Sequence, residues 1–252
     1  MRDEPALIDI NDGVATITLN RPDKGNALSA AMMHALEGRI GEAIADEGVR
    51  VVVIAANGRI FSAGHDLEEM LEHKNNDWQK AHFDHCSRLM LSIRNAPKPF
   101  IARVQGAAVA AGCQLVATCD LAYAVEGAKF GINGINLGLF CSTPSVPLSR
   151  VVHPKHALDL ALTGRLILAP RAAEIGLINA AVPADMLDEA VMEAARAIAG
   201  KQPNAISLGK SLFYRQLEMG IAGAYGEAAC AMASNMDFGA TREKIDGFVR
   251  KT

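Results

Sequence analysis

Two short stretches of small residues are the part of this sequence best suited to chemistry. Residues 61–67 read FSAGHDL, and residues 106–120 read GAAVAAGCQLVATCD. Each is predicted to form a turn between a strand and a helix, where such small side chains leave backbone N–H groups able to point at a ligand oxygen. The second turn leads into a helix predicted from about 110 to 118, whose positive dipole end adds to the effect. Two such turns, converging, would form an oxyanion hole, which stabilises negative charge developing on a carbonyl.

The elements that must position these stretches alternate between strands and helices up to about residue 165. The run RVVVIA at 50–55, continuously apolar after its first residue, predicts a fully buried strand, and Ser29 is the expected N-cap of a helix that ends near Ala45. The other elements predicted in this part are a hairpin at 7–19, a helix at 78–94, and strands at 100–104 and 121–125. This order is typical of parallel βαβ units with right-handed crossovers.

After about Arg165 the pattern predicts an almost wholly helical structure. The helices are expected at 172–175, 185–199, 205–219, 222–236 and 242–249. A Gly-Lys-Gln-Pro segment at 200–203 indicates a boundary, so we expect a core of residues 1–200 and a helical region of residues 201–252. The later helices carry small apolar residues on more than one face, which predicts burial against the core or against another subunit.

Further motifs accompany the two turns. They are NRPDKGNAL at 20–28, PKP at 97–99, APRAAEIGL at 169–177 and a basic, aromatic C-terminus. Together with the turns, they make the chain resemble the crotonase (enoyl-CoA hydratase/isomerase) superfamily over nearly its whole length. The resemblance implies an α/β fold with a crotonase-like ββα superhelix core and a helical C-terminal region that covers the active site and trimerises. It also implies acyl-CoA substrates, a homotrimer or a hexamer of two trimers, and no cofactor besides the coenzyme A of the substrate.

The resemblance also assigns site positions residue by residue. The oxyanion donors would be the backbone N–H groups of His65 and Ala111, the second of which is glycine in many relatives. The residues implied to contact the acyl-CoA are Arg21, Lys24, Ala27, Ala63, Gly64, His65, Asp66, Leu67, Ala111, Gly112, Asn133, Phe248 and Lys251. Of these, Phe248 and Lys251 match an aromatic-plus-lysine pair that reaches the nucleotide of a neighbouring subunit.

The two catalytic glutamates of the family's hydratases are absent from this chain. Their positions hold Gln114 and Gly134. The resemblance implies hydration of a 2-enoyl-CoA in fatty acid metabolism, yet neither an amide nor a glycine transfers protons near neutral pH. On the sequence alone, we expect a double variant, Gln114→Glu with Gly134→Glu, to raise the rate of crotonyl-CoA hydration.

The sequence leaves the proton-transfer step open. The His65 imidazole is one candidate base, because its ordinary pKa is about 6.5, although the side chain points away if its N–H points inward. Asp66 is expected to orient the turn by accepting backbone N–H bonds, and Ser142 to cap a helix with Pro144 in its first turn. The alternatives are a hydratase, an acyl-CoA-binding protein without catalysis, and an isomerase or hydrolase that uses His65 or an oriented water.

Composition argues against several other classes of protein. The 252 residues carry a net charge of −3 with scattered basic residues, so nucleic acid is not an expected partner. No apolar run is long enough to predict a membrane span, and no cluster of His, Cys, Asp or Glu has the spacing of a metal site. The N-terminus does not resemble a signal peptide, and the five cysteines form no CxxC pair. These features predict a reducing compartment and a cytoplasmic location.

Overall fold

The structure is a computed structural model, and it describes residues 4–250. Within that range the strands are β1 (Ala6–Asn11), β2 (Val14–Leu19), β3 (Val51–Ala56), β4 (Ile60–Ser62), β5 (Phe100–Val104), β6 (Ala107–Val109), β7 (Leu121–Val125), β8 (Lys129–Gly131), β9 (Ile167–Leu168) and β10 (Ala180–Val182). The helices are α1 (Ala30–Ala45), α2 (Leu67–Glu72), α3 (Asn76–Asn95), α4 (Ala111–Thr118), α5 (Ser142–Val151), α6 (Pro154–Thr163), α7 (Ala169–Glu174), α8 (Leu187–Ala199), α9 (Pro203–Gln216), α10 (Ile221–Asp237) and α11 (Gly239–Val249).

Six strands form the larger of two sheets, in the order β1-β2-β3-β5-β7-β10. The predicted hairpin is confirmed as the antiparallel pair β1–β2, and the other pairings of this sheet are parallel. All six residues of β3 are buried, as its continuous apolar run predicts. The reason is that alternate residues of β3 belong to two separate apolar clusters, one on each face of the sheet.

A second sheet has the order β4-β6-β8-β9. It follows from a repeated unit in which a strand of the larger sheet is succeeded by a strand of the smaller sheet and then by a helix: β3-β4-α2, β5-β6-α4 and β7-β8-α5. The sequence analysis missed the smaller sheet, because none of its strands exceeds three residues and a period of two needs a longer run. The turn within residues 61–67 follows β4, and the turn within residues 106–120 follows β6, so both turns start from strands of the smaller sheet.

Two predicted helix starts have different outcomes. Ser29 is confirmed as the N-cap of α1, since its Oγ accepts a hydrogen bond from the Met32 N–H at 3.2 Å. Ser142 is not the N-cap of α5. That helix begins at Ser142 itself, and the residue in the cap position is Cys141, which makes no side-chain cap bond. Pro144 lies in the first turn of α5, where its missing N–H costs nothing.

Beyond residue 165 the prediction of helices is confirmed except for β9 and β10, which add one strand to each sheet. Among the residues of α9, α10 and α11, only Ala231 is buried. Large apolar side chains exposed on this part of the chain include Phe213, Leu217, Ile221, Tyr225, Met232, Ile245 and Phe248. No helix in the described part of the chain is long and apolar enough to cross a membrane.

One partly buried carboxylate joins α9 to the core. Asp120, which precedes β7, accepts hydrogen bonds from the Phe100 N–H at 2.7 Å, from Lys210 Nζ at 2.8 Å and from the Tyr214 hydroxyl at 2.8 Å. Lys210 and Tyr214 both lie on α9, and the Lys210 side chain is only 7% exposed. A satisfied polar network therefore joins α9, the first helix of the C-terminal region, to the inner strands β5 and β7 of the larger sheet.

Candidate active site at two converging turns

The two predicted turns lie side by side. Gly64 has a φ of +93°, and a Cβ on it would lie only 3.1 Å from the Ala111 nitrogen and 2.8 Å from the Ala110 Cβ. Gly112 is just as close to the first turn, since a Cβ on it would lie 2.3 Å from the Ser62 carbonyl oxygen. A larger residue at either position would push the turns apart, so the two glycines permit the approach.

Ala110 holds the second turn in a strained conformation. Its φ of +48° and ψ of −120° are rarely adopted by residues with a Cβ. Its N–H donates to the Gly131 carbonyl at 2.9 Å, which ties the turn to the end of β8. The helix α4 then begins at Ala111, one residue later than predicted, and all eight of its residues are buried. Strain at this one residue therefore sets the direction in which a buried helix presents its first N–H groups.

The N–H groups of His65 and Ala111 are the donors expected from the sequence. Ala111 is the first residue of α4, so its N–H has no acceptor within the helix. Across residues 4–250, neither N–H donates a hydrogen bond to another protein group. Two neighbouring unpaired donors, one of them at the N-terminus of a buried helix, are the arrangement that an oxyanion hole requires.

The segment at 20–28 lies against the first turn. The Ala63 N–H donates to the Gly25 carbonyl at 2.9 Å, and the Leu28 N–H donates to the Gly64 carbonyl at 2.7 Å. The positions of this segment implied to contact coenzyme A are Arg21, Lys24 and Ala27. The structure therefore brings this motif and the first turn together, although they are separated by about forty residues in the sequence.

Asn26 is a residue of this region that the sequence analysis missed. It is fully buried with a φ of +51°, and its side chain accepts from the Arg21 N–H and donates to the carbonyls of Asn57 and Ile60 at 2.8–2.9 Å. Its own carbonyl accepts from Ser62 Oγ at 2.9 Å. Asn26 thus fixes the segment to β4. The available signal is a single Asn between Gly25 and Ala27, which does not distinguish a buried amide from an exposed one.

Asp66 begins α2, as its predicted role in the turn requires. Its Oδ1 accepts from the N–H groups of Glu68 and Glu69 at 3.0 and 3.2 Å, and Leu67 is the exposed first residue of the helix. Glu68 in turn pairs with Lys24 at 2.8 Å, and this neighbouring carboxylate raises the pKa of the exposed amine. The start of α2 is therefore joined to the segment at 20–28 by an ion pair on the surface.

The His65 side chain is held beneath the turn. Its Nδ1 lies 3.0 Å from His82 Nε2 and 3.4 Å from the Leu28 carbonyl oxygen, and its ring meets Phe83 edge to face at 5.2 Å. Burial, the largest cause, and the neighbouring His82 lower the pKa of His65 to about 4, and the Leu28 carbonyl opposes both. The imidazole is therefore neutral at physiological pH. Its Nε2 is buried without a hydrogen-bond partner in the described structure.

One face of α3 lines the site. His82 contacts His65, and Cys86, one helical turn later, has its Sγ 4.0 Å from Gln114 Oε1. Gln114 is 3% exposed, and burial raises the pKa of the Cys86 thiol to about 12, so the thiol is protonated. The side chain in the position of the first missing glutamate therefore lies in an uncharged surrounding formed by α3 and α4.

Gly134 lies where no side chain fits. A Cβ on it would lie 2.5 Å from the Leu139 carbonyl oxygen and 2.8 Å from Cys141 Sγ. The Gly134 N–H also donates to that sulfur at 3.2 Å, and its carbonyl accepts from the Leu139 N–H at 3.1 Å. The assignment of Gly134 as the position of a missing glutamate stays a prediction. The residues from 134 to 141 fold back and close the space, so a glutamate at 134 would require the backbone to move.

The remaining implied residues differ in how far the structure tests their place. Asn133 follows β8, whose last residue bonds to the Ala110 N–H, and it is half-buried close to the second turn. Phe248 lies on α11 with 73% of its surface exposed. Lys251 lies outside the described residues. The expected contact of the last two residues with coenzyme A therefore stays a prediction.

Comparison with known proteins defines the class to which this fold and site belong. The sequence model of the enoyl-CoA hydratase/isomerase family matches residues 9–251, and the chain belongs to that family. It is 42% identical to rat "Enoyl-CoA hydratase domain-containing protein 3, mitochondrial" over 240 residues, covering 95% of this chain and 80% of the relative.

Two solved structures share the crotonase fold with this chain. An enoyl-CoA hydratase from Mycobacterium smegmatis aligns with a TM-score of 0.96 and 46% identity, covering 98% of this chain and 96% of the other. Human enoyl Coenzyme A hydratase domain-containing protein 3 aligns with a TM-score of 0.95 and 42% identity, covering 98% of both chains. The α/β fold, with its ββα core and helical C-terminal region, is therefore as the resemblance implied.

The comparisons correct the predicted location. The similar proteins of rat, mouse and human, at 41–43% identity over 95% of this chain, are all named as mitochondrial. The prediction of a cytoplasmic location is therefore wrong. It rested on reduced cysteines and on the lack of a secretory signal, and these features do not distinguish the cytoplasm from another reducing compartment.

Proposed function

We propose that this protein binds an acyl-CoA thioester with the carbonyl oxygen between the backbone N–H groups of His65 and Ala111. The observation that carries the proposal is the approach of the two turns, in which a Cβ on Gly64 would lie 3.1 Å from the Ala111 nitrogen. These donors would stabilise the enolate charge that develops when a nucleophile adds to the double bond of an enoyl thioester or when a proton leaves the carbon next to the carbonyl. Each aligned donor contributes roughly 3–4 kcal/mol to such a transition state.

The coenzyme A part of the ligand would lie along the segment at 20–28. Arg21 and Lys24 supply cations suited to phosphate, and Lys24 would exchange an exposed ion pair with Glu68 for one with the ligand. Ala63 and Gly64 present backbone rather than side chains to the pantetheine arm. The similarity to an enoyl-CoA hydratase and to an enoyl-CoA hydratase domain-containing protein supports this class of ligand.

The reaction that fits best is 2-enoyl-CoA hydration or isomerisation without the usual glutamates. Gln114 is able to orient a water by donating and accepting hydrogen bonds but not to remove its proton. The neutral His65 imidazole, whose pKa burial and His82 lower to about 4, belongs to a donor residue and is our candidate to accept a proton. The second candidate function is acyl-CoA binding without turnover, and the closed position at Gly134 favours it.

Calorimetry with two matched ligands tests the carbonyl site directly. A saturated acyl-CoA thioester and the corresponding S-alkyl-CoA thioether differ mainly in the carbonyl oxygen. We expect the thioester to bind about 10-fold more tightly, because hydrogen bonds to that oxygen add about 1–1.5 kcal/mol. Equal affinities would refute the placement of the carbonyl, and no binding of either ligand at millimolar concentration would refute the ligand class.

A turnover screen separates the two candidate functions. Enoyl-, dienoyl- and saturated acyl-CoA thioesters of varied chain length are offered to protein that is shown by calorimetry to bind them. Hydration or double-bond migration supports an enzyme, and binding without any product supports the binding protein.

The assembly we propose is a homotrimer or a hexamer of two trimers. Its support is the apolar surface of α9–α11, where exposed Ile221, Tyr225 and Met232 belong to one helix, α10. Such a surface is unusual for a monomer. Phe248 and Lys251 would then serve the coenzyme site of a neighbour, so removing residues 242–252 is expected to weaken both assembly and acyl-CoA binding. A monomer in sedimentation equilibrium that binds acyl-CoA normally would contradict this link.

A further inference from the structure

A line of rings runs from the surface to the buried His65. His73 at the end of α2 stacks on Trp78 at 4.1 Å with an interplanar angle of 9°, and Trp78 stacks on His82 at 4.9 Å and 16°. We call these three residues the ring stack. His82, its inner member, is 5% exposed, and its Nε2 reaches His65 Nδ1 at 3.0 Å. Neither the oxyanion donors nor the missing glutamates explain this arrangement.

The contact between the two imidazoles admits one proton. Both rings are neutral, so either His65 Nδ1–H donates to His82 Nε2, or His82 Nε2–H donates to His65 Nδ1. The Leu28 carbonyl decides between them, because it lies 3.4 Å from the same Nδ1 and is able only to accept. A proton on His65 Nδ1 satisfies the carbonyl and His82 together, whereas a lone pair there would face the carbonyl oxygen.

We propose that His82 is a positioning residue that holds the His65 imidazole with its proton on Nδ1, so that the lone pair lies on the unpartnered Nε2 of the residue that supplies one oxyanion donor. The inference rests on the proposed function, since it names the residue that prepares the proton acceptor of that site. His65 Nε2 has no hydrogen-bond partner within residues 4–250, and an orphaned buried nitrogen of this kind requires an explanation. Because the ring and the donor N–H belong to one residue, Nε2 stays within about 6 Å of the donor nitrogen.

The ring stack explains why His82 is able to do this. The stacking contact with Trp78 and the burial of His82 on α3 restrict rotation of its ring, so Nε2 stays directed at His65. The other charged or titratable groups that face His82 are Glu69 and Asp66 at α2, His73 at its end and His85 on α3. Burial is the largest influence on its pKa and lowers it, so His82 stays neutral and keeps a lone pair for the His65 proton.

The first test is the tautomer itself. Nitrogen-15 NMR of the histidine-labelled protein at pH 7, assigned by comparison with His65→Phe, distinguishes a protonated from an unprotonated ring nitrogen. We expect His65 to carry its proton on Nδ1 in the full-length protein. A proton on Nε2 would overturn the inference. This measurement needs no substrate, so its result is independent of acyl-CoA turnover.

The second test compares two variants at position 82. His82→Phe keeps a ring against Trp78 but has no acceptor, and we expect turnover to fall by at least about 10-fold while acyl-CoA affinity changes less than 2-fold. The acid limb of its pH–rate profile should move to higher pH, because loss of the second imidazole removes a contribution that lowers the pKa of His65. His82→Gln supplies an amide oxygen in the same region and should restore both the Nδ1–H tautomer and most of the rate.

Each outcome decides the matter. If His82→Phe keeps the wild-type tautomer and rate, or if His82→Gln is no better than His82→Phe, the role of His82 is refuted. If His82→Phe fails to fold, the tautomer of the wild-type protein decides alone. If the wild-type protein shows the expected tautomer but turns over no acyl-CoA, the catalytic part of the proposed function fails while the positioning role of His82 is retained.

Discussion

The two positions that the resemblance assigns to the glutamates of the family's hydratases differ in the space they offer a side chain. Gln114 keeps a side chain of the size of glutamate, buried on α4 beside Cys86. Gly134 has neither a side chain nor space for one, because Leu139 and Cys141 occupy it. The first position would regain a carboxylate by the exchange of one nitrogen for an oxygen, whereas the second would need a new backbone path. Position 114 therefore lacks only the carboxylate, whereas position 134 lacks both the carboxylate and the space for it.

The largest effect is expected for Gln114→Glu alone. A carboxylate at this position supplies one group for general acid–base work, so crotonyl-CoA hydration should rise by about 10²-fold or more. Burial should raise the pKa of the new carboxyl above its unfolded value of about 4.3, so the variant should lose stability relative to wild type as pH rises past that value. The measurement is the hydration rate together with urea unfolding at several pH values.

Gln216→Glu on the surface of α9 is the matched control for the change in charge. It should leave the hydration rate unchanged. A folded Gln114→Glu variant that binds acyl-CoA but hydrates no faster would show that a carboxylate at 114 is not what limits the reaction.

The next largest effect tests whether turnover, including any gain from Gln114→Glu, depends on the oxyanion donors. Gly64→Ala adds a Cβ 2.8 Å from the Ala110 Cβ and 3.1 Å from the Ala111 nitrogen, so it should separate the donors and lower kcat by about 10²–10³-fold. The same change should cancel the gain from Gln114→Glu. Gly138→Ala carries the same left-handed strain at a φ of +79° but meets nothing within 4 Å, and it should keep its activity. Normal turnover by Gly64→Ala would refute the donor assignment.

A smaller effect, on stability, tests the closed position. Gly134→Ala should destabilise the fold by about 1–3 kcal/mol, because its Cβ would overlap the Leu139 carbonyl and Cys141 Sγ. Gly41→Ala, within α1 and with nothing within 4 Å, should instead be neutral or stabilising. The free energies of unfolding from urea titration check both. If Gly134→Ala is as stable as wild type, position 134 is open, and the double glutamate variant becomes a fair test again.

The smallest effect at neutral pH is on stability, and it comes from the His65 imidazole. Unlike Gln114 and Gly134, this side chain titrates, so its effect depends on pH. Its pKa is about 4 in the folded protein against about 6.5 when unfolded. The unfolded state therefore binds more protons between these values, so stability is fully present above pH 6.5 and is lost as pH falls toward 4. His65→Phe should flatten this dependence in unfolding experiments. An unchanged dependence would assign it to other groups.

Most of the fold could be predicted from the sequence, because it is specified by motifs and by apolar periodicity. The buried strand β3, the Ser29 cap and the two turns each depend on residues adjacent in the chain. The smaller sheet could not be found in this way, since its short strands are stabilised by the neighbours they meet. The closure at Gly134 was missed for the same reason, because Cys141 reaches it through a fold of the chain that glycine alone does not predict.

The candidate site shows the same limit. The resemblance assigned the donors through the small residues around His65 and Ala111, whereas the neighbours of the His65 ring could not be read from the chain. His82 is seventeen residues from His65, and its only sequence signal is its four-residue spacing from Trp78 and Cys86 on α3. Spacing places these three on one face of a helix but does not say which turn that face meets.

The network around Asp120 has a consequence for how the chain opens. Its carboxylate binds the Phe100 N–H of β5 together with Lys210 and Tyr214 of α9, so α9 cannot leave without exposing a charge bound to the central sheet. Amide hydrogen exchange in single chains should therefore find α9 protected in step with β5. In α10 and α11, Ala231 is the only buried residue, and their amides should exchange much earlier. The boundary of cooperative unfolding then falls after α9, 14 residues beyond the break between α8 and α9.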